Sequence, residues 1–94
     1  MQATRIVLTT DQAIALKLAA KKFNTKGNKK LKLFSTEYKE ILDKFIKAED
    51  IEKTEKFESV LIMIIYFIAD RGVKYGWTMK HWYDLTSIEE SFKG

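Results

Sequence analysis

The chain has no cysteine and no proline, a single histidine, His81, and only two arginines, Arg5 and Arg71. Each shortage removes a class of explanation. Without Cys there is no disulfide framework and no thiolate metal ligand, so 94 residues must hold together through their own core or through association. Without Pro no helix is forced to kink. One His among scattered carboxylates gives no ligand set at a recognised metal spacing. No Ser stands in a nucleophile elbow, and no glycine-rich phosphate loop follows a strand. The residues point to a non-enzymatic protein with no cofactor and no metal. Paired with Asp84, His81 reads as an ordinary helical histidine. No apolar run reaches the roughly 20 residues that span a bilayer. Met1–Arg5 is followed by only three apolar residues, which is no signal-peptide pattern. A cytoplasmic protein outside the membrane is the expectation.

What the chain does have is ten consecutive apolar residues, Val60 to Ala69. Phe57, Val60/Leu61, Ile64 and Phe67/Ile68 recur at helical spacing. Thr54 is placed to cap, Glu55 and Glu58 oppose the dipole of the first turns, and Arg71-Gly72 supplies a C-terminal stop. The pattern predicts a helix over about 55–71 that is apolar all round and therefore has to be covered all round. A chain this short covers such a rod only with difficulty, so a partner or a second copy is expected to finish the task.

Other elements follow from local signals. Thr9 with Gln12 matches a capping box and opens a helix near 10–23. Ala13, Leu16, Ala20 and Phe23 share its inner face, with Ile14 and Leu18 opposite. Asn24–Asn28 reads as a turn. Ser35 or Thr36 caps a helix near 36–48, whose stripe is Tyr38, Ile41, Leu42, Phe45 and Ile46, with Glu40 to Lys44 as an i,i+4 pair. Thr78 opens a helical region near 78–92, in which Ser87 with Glu90 forms a second capping box. Arg5–Leu8 is a short apolar run that suits a strand or the chain's entry into the core, and Leu31–Phe34 alternates well enough to pair with Ile6–Leu8 as a minor two-stranded β-ribbon near the N-terminus. The predicted fold is mostly α: one domain over residues 1–94, a small helical bundle around a central buried helix.

Charge is unevenly spread. Residues 1–47 carry eleven Lys/Arg against four Asp/Glu, whereas residues 48–94 carry six against nine. Lys17, Lys21, Lys22, Lys26, Lys29, Lys30 and Lys32 occur with no acid between Asp11 and Glu37. Such a run suits phosphate neutralisation by a small nucleic-acid-binding protein, or simply a solvated face. The scarcity of Arg argues against base-edge readout. The acidic counterpart is Glu49, Asp50, Glu52, Glu55 and Glu58, and the asymmetry equally suits head-to-tail contact between copies.

Tyr75, Trp77, Trp82, Tyr83 and Phe92 form an aromatic C-terminal cluster. Tyr66, Trp77, Trp82 and Tyr83 are the candidate interface residues, because Trp and Tyr dominate binding hot spots; the same rings serve equally to cover a core. The stretch Gly76-Trp77-Thr78-Met79-Lys80-His81-Trp82-Tyr83-Asp84-Leu85 faintly resembles a pattern near the C-terminus of some phage tail-assembly chaperones, in which an aromatic-Asp-Leu step opens a last helix. Ten residues of 94 carry no family assignment. The leading functional expectation is an accessory protein that self-associates or docks into a larger assembly through the apolar helix and this aromatic cluster.

Overall fold

The Thr9 signal is realised in full. In the computed structural model, which describes residues 4–27, 36–71 and 76–93, Thr9 Oγ1 accepts from the Gln12 amide at 3.1 Å, and Gln12 Oε1 accepts from the Thr9 amide at 2.9 Å. This reciprocal cap satisfies two orphan donors and starts α1, Thr10–Lys22. Beyond Lys22 the chain does not turn at once. It widens into a π-helical turn over Phe23–Gly27, with the Phe23 amide shared between the carbonyls of Ala19 and Ala20. Three further helices follow: α2, Thr36–Lys47; α3, Glu55–Arg71; and α4, Met79–Lys93.

Small side chains let α1 sit close to its neighbours. Ala15, Leu16, Ala19 and Ala20 are almost wholly buried, and α1 touches α2, α3 and α4. Phe23 continues this buried edge and meets Phe67 of α3 edge-on, centroids 5.7 Å apart. α2 presents Ile41, Leu42 and Phe45, the stripe its sequence announced, and Phe45 packs edge-on against Phe57 at 5.8 Å. Lys44 does not act mainly as the partner of Glu40: its ammonium lies 5.6 Å above the Phe57 ring, and the i,i+4 ion pair on this helix is Asp43 with Lys47.

α3 occupies the predicted residues and contributes Val60, Leu61, Ile64, Ile65, Phe67 and Ile68 to the core. It is not enclosed all round. Ile62 and Met63 are half-buried, Ala69 is exposed and Tyr66 is 71% exposed. Nor is it alone at the centre, since α1 shares that position. α4 is one continuous helix, so Ser87 opens nothing. Its hydroxyl donates to the Asp84 carbonyl at 2.8 Å and accepts from Gln12 Nε2 at 2.8 Å, which ties α4 to the α1 cap. Tyr83-Asp84-Leu85 accordingly lies inside a helix and does not begin one.

The expected ribbon takes another form. Residues 31–34 lie outside the described residues, and the N-terminal segment pairs with the α2–α3 linker. The Ile6 amide donates to the Ile51 carbonyl at 2.8 Å, the Lys53 amide donates to the Thr4 carbonyl at 2.6 Å, and Arg5 faces Glu52 across a single antiparallel bridge. Extended backbone alternates its side chains, so Ile6 and Leu8 turn to the core while Val7 is 92% exposed. Ile51, flanked by acids, is 2% exposed and anchors the linker. Among the described residues there is no named strand.

α2 ends in a Schellman motif: the Ala48 amide donates to the Phe45 carbonyl and the Glu49 amide to the Lys44 carbonyl, both at 3.1 Å. The residue that must adopt the left-handed conformation is Ala48, at φ 54°. Glycine holds that conformation without a Cβ conflict. Ala48→Gly is expected to raise stability by up to about 1 kcal/mol, less the small contribution of a half-buried methyl, as read from urea unfolding. A loss of stability would show that the methyl contact outweighs the strain.

Candidate interaction surfaces

The four aromatic candidates divide into two pairs. Tyr66 on α3 and Tyr83 on α4 point outward, 71% and 64% exposed, while Trp77 and Trp82 are half-buried against the core. Tyr66 stands on the open strip of α3. Ile62, Met63, Tyr66 and Ala69 fall three or four residues apart there and share one face. Met79 adds a second exposed apolar side chain on α4, at 63%. Trp77 meets the His81 ring edge-on at 5.0 Å, and its buried Nε1–H finds no acceptor among the described residues.

The basic candidates sit differently. Lys17 and Lys21 are exposed on α1, where half-exposed Ile14 and Leu18 interleave with them; Lys22 is half-buried. Lys29, Lys30 and Lys32 lie outside the described residues, as does the side chain of Lys26. Elsewhere most lysines meet acids: Lys47 with Asp43 at 3.1 Å, Lys56 with Glu37 at 2.7 Å, Lys80 with Asp11 at 3.2 Å, and Lys93 with Glu89 at 3.7 Å. The hydrogen bond to Glu37 raises the Lys56 pKa above its ordinary value, and the bond to Asp11 does the same for Lys80. Among the described residues Lys17 and Lys21 have no such acid within ion-pair distance, and both are exposed.

His81 has a local structural role. It stands at the third position of α4, where its amide donates to Thr78 Oγ1 at 3.4 Å and its Nδ1 accepts from the Thr78 amide at 3.3 Å. This is a capping box in which an imidazole takes the place usually filled by Glu or Gln. Sequence reading paired His81 with Asp84; the ring is instead engaged with Thr78, while Asp84 lies 3.6 Å from Lys80. Two open depressions of about 500 and 460 Å³ run along α2 and the start of α3, where charges of both signs alternate. Among the described residues no three His, Asp or Glu side chains gather as metal ligands.

Comparison with protein-family models, with curated proteins and with solved structures finds no match to this chain. Among the described residues no helix is long and apolar enough to cross a membrane.

Because His81 works as a cap, His81→Ala is expected to cost about 0.5–1 kcal/mol, whereas His81→Gln, which restores the usual box, keeps the melting temperature close to that of the unaltered protein. Thermal unfolding of the two variants checks this, and equal losses in both would assign His81 a role other than capping.

Proposed function

We propose that this protein is a non-enzymatic interaction or accessory protein that associates with itself or docks into a larger assembly through the outer face of α3 and α4. One observation carries the reading: Tyr66 is 71% exposed in the middle of an otherwise apolar segment, on a strip that α1, α2 and α4 leave uncovered. Met79 and Tyr83 are large exposed side chains on α4 as well. Tyr and Met are enriched at interface cores, and Tyr contributes large contact area at little rotamer entropy. Trp77 and Trp82, half-buried against the core, keep part of their rings available to the same contact. The proposed setting is the cytoplasm.

Tyr66→Gln together with Tyr83→Gln tests the reading, since both side chains are exposed and Gln is a good helix former. The pair is expected to change folding stability by no more than about 0.5 kcal/mol. In sedimentation equilibrium the unaltered protein is expected to show a mass that rises above 11.0 kDa with concentration, and the double variant to stay at 11.0 kDa. Unchanged association would defeat it.

A second reading, nucleic-acid binding through Lys17–Lys32, draws support from Lys17 and Lys21, which are exposed and lack acids nearby. It expects binding to a mixed-sequence oligonucleotide that weakens steeply with salt and disappears when Lys21, Lys22, Lys29 and Lys30 are all changed to Glu. Fluorescence anisotropy at low ionic strength decides the matter; no binding there removes this reading.

A further inference from the structure

The outer face of α1 brings cationic and apolar side chains together. Ile14, Lys17, Leu18 and Lys21 recur at three- and four-residue spacing and so share one face of the helix. Lys17 and Lys21 are exposed, with no described acid within ion-pair distance, and Ile14 and Leu18 are 49% and 47% exposed. The one acid of this helix, Asp11, is held by Lys80 at 3.2 Å. In sequence, seven lysines and no acid lie between Asp11 and Glu37. The opposite face of α1 is Ala15, Leu16, Ala19 and Ala20, all buried in the core. The helix is thus apolar on two sides, and only one of them is used in folding.

We propose that this face docks on an anionic lipid bilayer, with α1 lying flat in the headgroup layer. Charge sets the sign of the partner, and the aliphatic pair sets its kind. A membrane surface rewards both parts of the face at once. The lysine ammonium groups meet the anionic headgroups, while Ile14 and Leu18 enter the boundary with the acyl chains. The long lysine stems lie along that boundary and keep their charged ends in water. A nucleic acid shares the charge complementarity but uses less of the surface. Its phosphates reward no aliphatic side chain, and this face has neither an aromatic ring for base stacking nor an arginine for a base edge. At 13 residues α1 is about 20 Å long, so it rests on a bilayer and does not cross it. Two lysines and two aliphatics make a shallow contact, which is reversible, depends on anionic lipid and weakens as salt screens it. Tyr66 and Tyr83 take no part, so this inference and the docking role of α3 and α4 stand or fall separately. The nucleic-acid reading draws on the same lysines, and the two differ in what the loss of Ile14 and Leu18 does.

Vesicle co-sedimentation at low salt tests this. The unaltered protein is expected to bind phosphatidylcholine vesicles made anionic with phosphatidylserine at least about tenfold more tightly than vesicles of phosphatidylcholine alone. Added salt is expected to release it. Lys17→Gln with Lys21→Gln is expected to weaken binding at least about tenfold. Ile14→Gln with Leu18→Gln keeps every charge and is expected to weaken it about as much. Circular dichroism verifies that both variants remain helical. Should the second pair fail to fold, Leu18→Trp takes its place: an indole favours the headgroup layer, so tighter binding is expected. Tyr66→Gln with Tyr83→Gln is expected to bind the vesicles as the unaltered protein does. Failure to bind anionic vesicles, or equal binding to neutral ones, overturns the inference. Loss of binding in the tyrosine variant does so too, by moving the site to α3 and α4. Full binding without Ile14 and Leu18, or no gain from Leu18→Trp, overturns it as well, and reduces the face to a lysine surface open to any polyanion. A mixed-sequence oligonucleotide that then binds, and weakens only with the lysine pair, assigns that surface to nucleic acid instead.

Discussion

Close approach along α1 is the constraint from which the rest of the packing follows. Ala15, Ala19 and Ala20 leave almost no side chain between this helix and its neighbours, and Leu16 and Phe23 fill the space between them. Three helices seat against that edge because it is narrow. A bulkier residue there would separate them, and interiors packed at crystal-like density absorb such an insertion poorly. The remaining ties are polar. Gln12 joins α1 to Ser87, Lys80 reaches Asp11, and Arg5 meets Asp50. The ion pairs are exposed and so refine the geometry more than they stabilise it.

How much of this was legible depended on whether the signal was local. The Thr9–Gln12 box is spelled out in four residues, and the α2 stripe of Tyr38, Ile41, Leu42, Phe45 and Ile46 repeats at helical period. Both were readable because neither needs knowledge of a distant residue. Ser87-x-x-Glu90 has the same local form, yet the structure uses it otherwise, because Gln12 from the far end of the chain claims the serine hydroxyl. Ile51 stands between two acids with no apolar period around it; its burial accompanies pairing with Ile6, which no periodicity encodes. An alanine edge gives little hydrophobic contrast, so the hub role of α1 was hidden, while the long apolar run of α3 drew attention to itself.

The candidate surfaces were legible in kind and not in arrangement. Composition marked an aromatic cluster and a lysine-rich segment, but helix position alone does not say which rings turn outward. Neighbouring helices make that choice: α4 turns Leu85, Ile88 and Phe92 inward, Trp82 follows them part of the way, and Tyr83 is left outside. Likewise Ile14 and Leu18 are uncovered because α2, α3 and α4 all occupy the opposite side of α1.

The hydrogen bond between Gln12 and Ser87 spans 75 positions of the chain. A ribosome adding about 5–20 residues per second exposes α1 for several seconds before α4 exists to cover it. Through that interval the alanine edge has α2 first, then α3, and only at the end its last neighbour. Nascent chains of this protein therefore spend part of their synthesis with the α1 edge only partly covered.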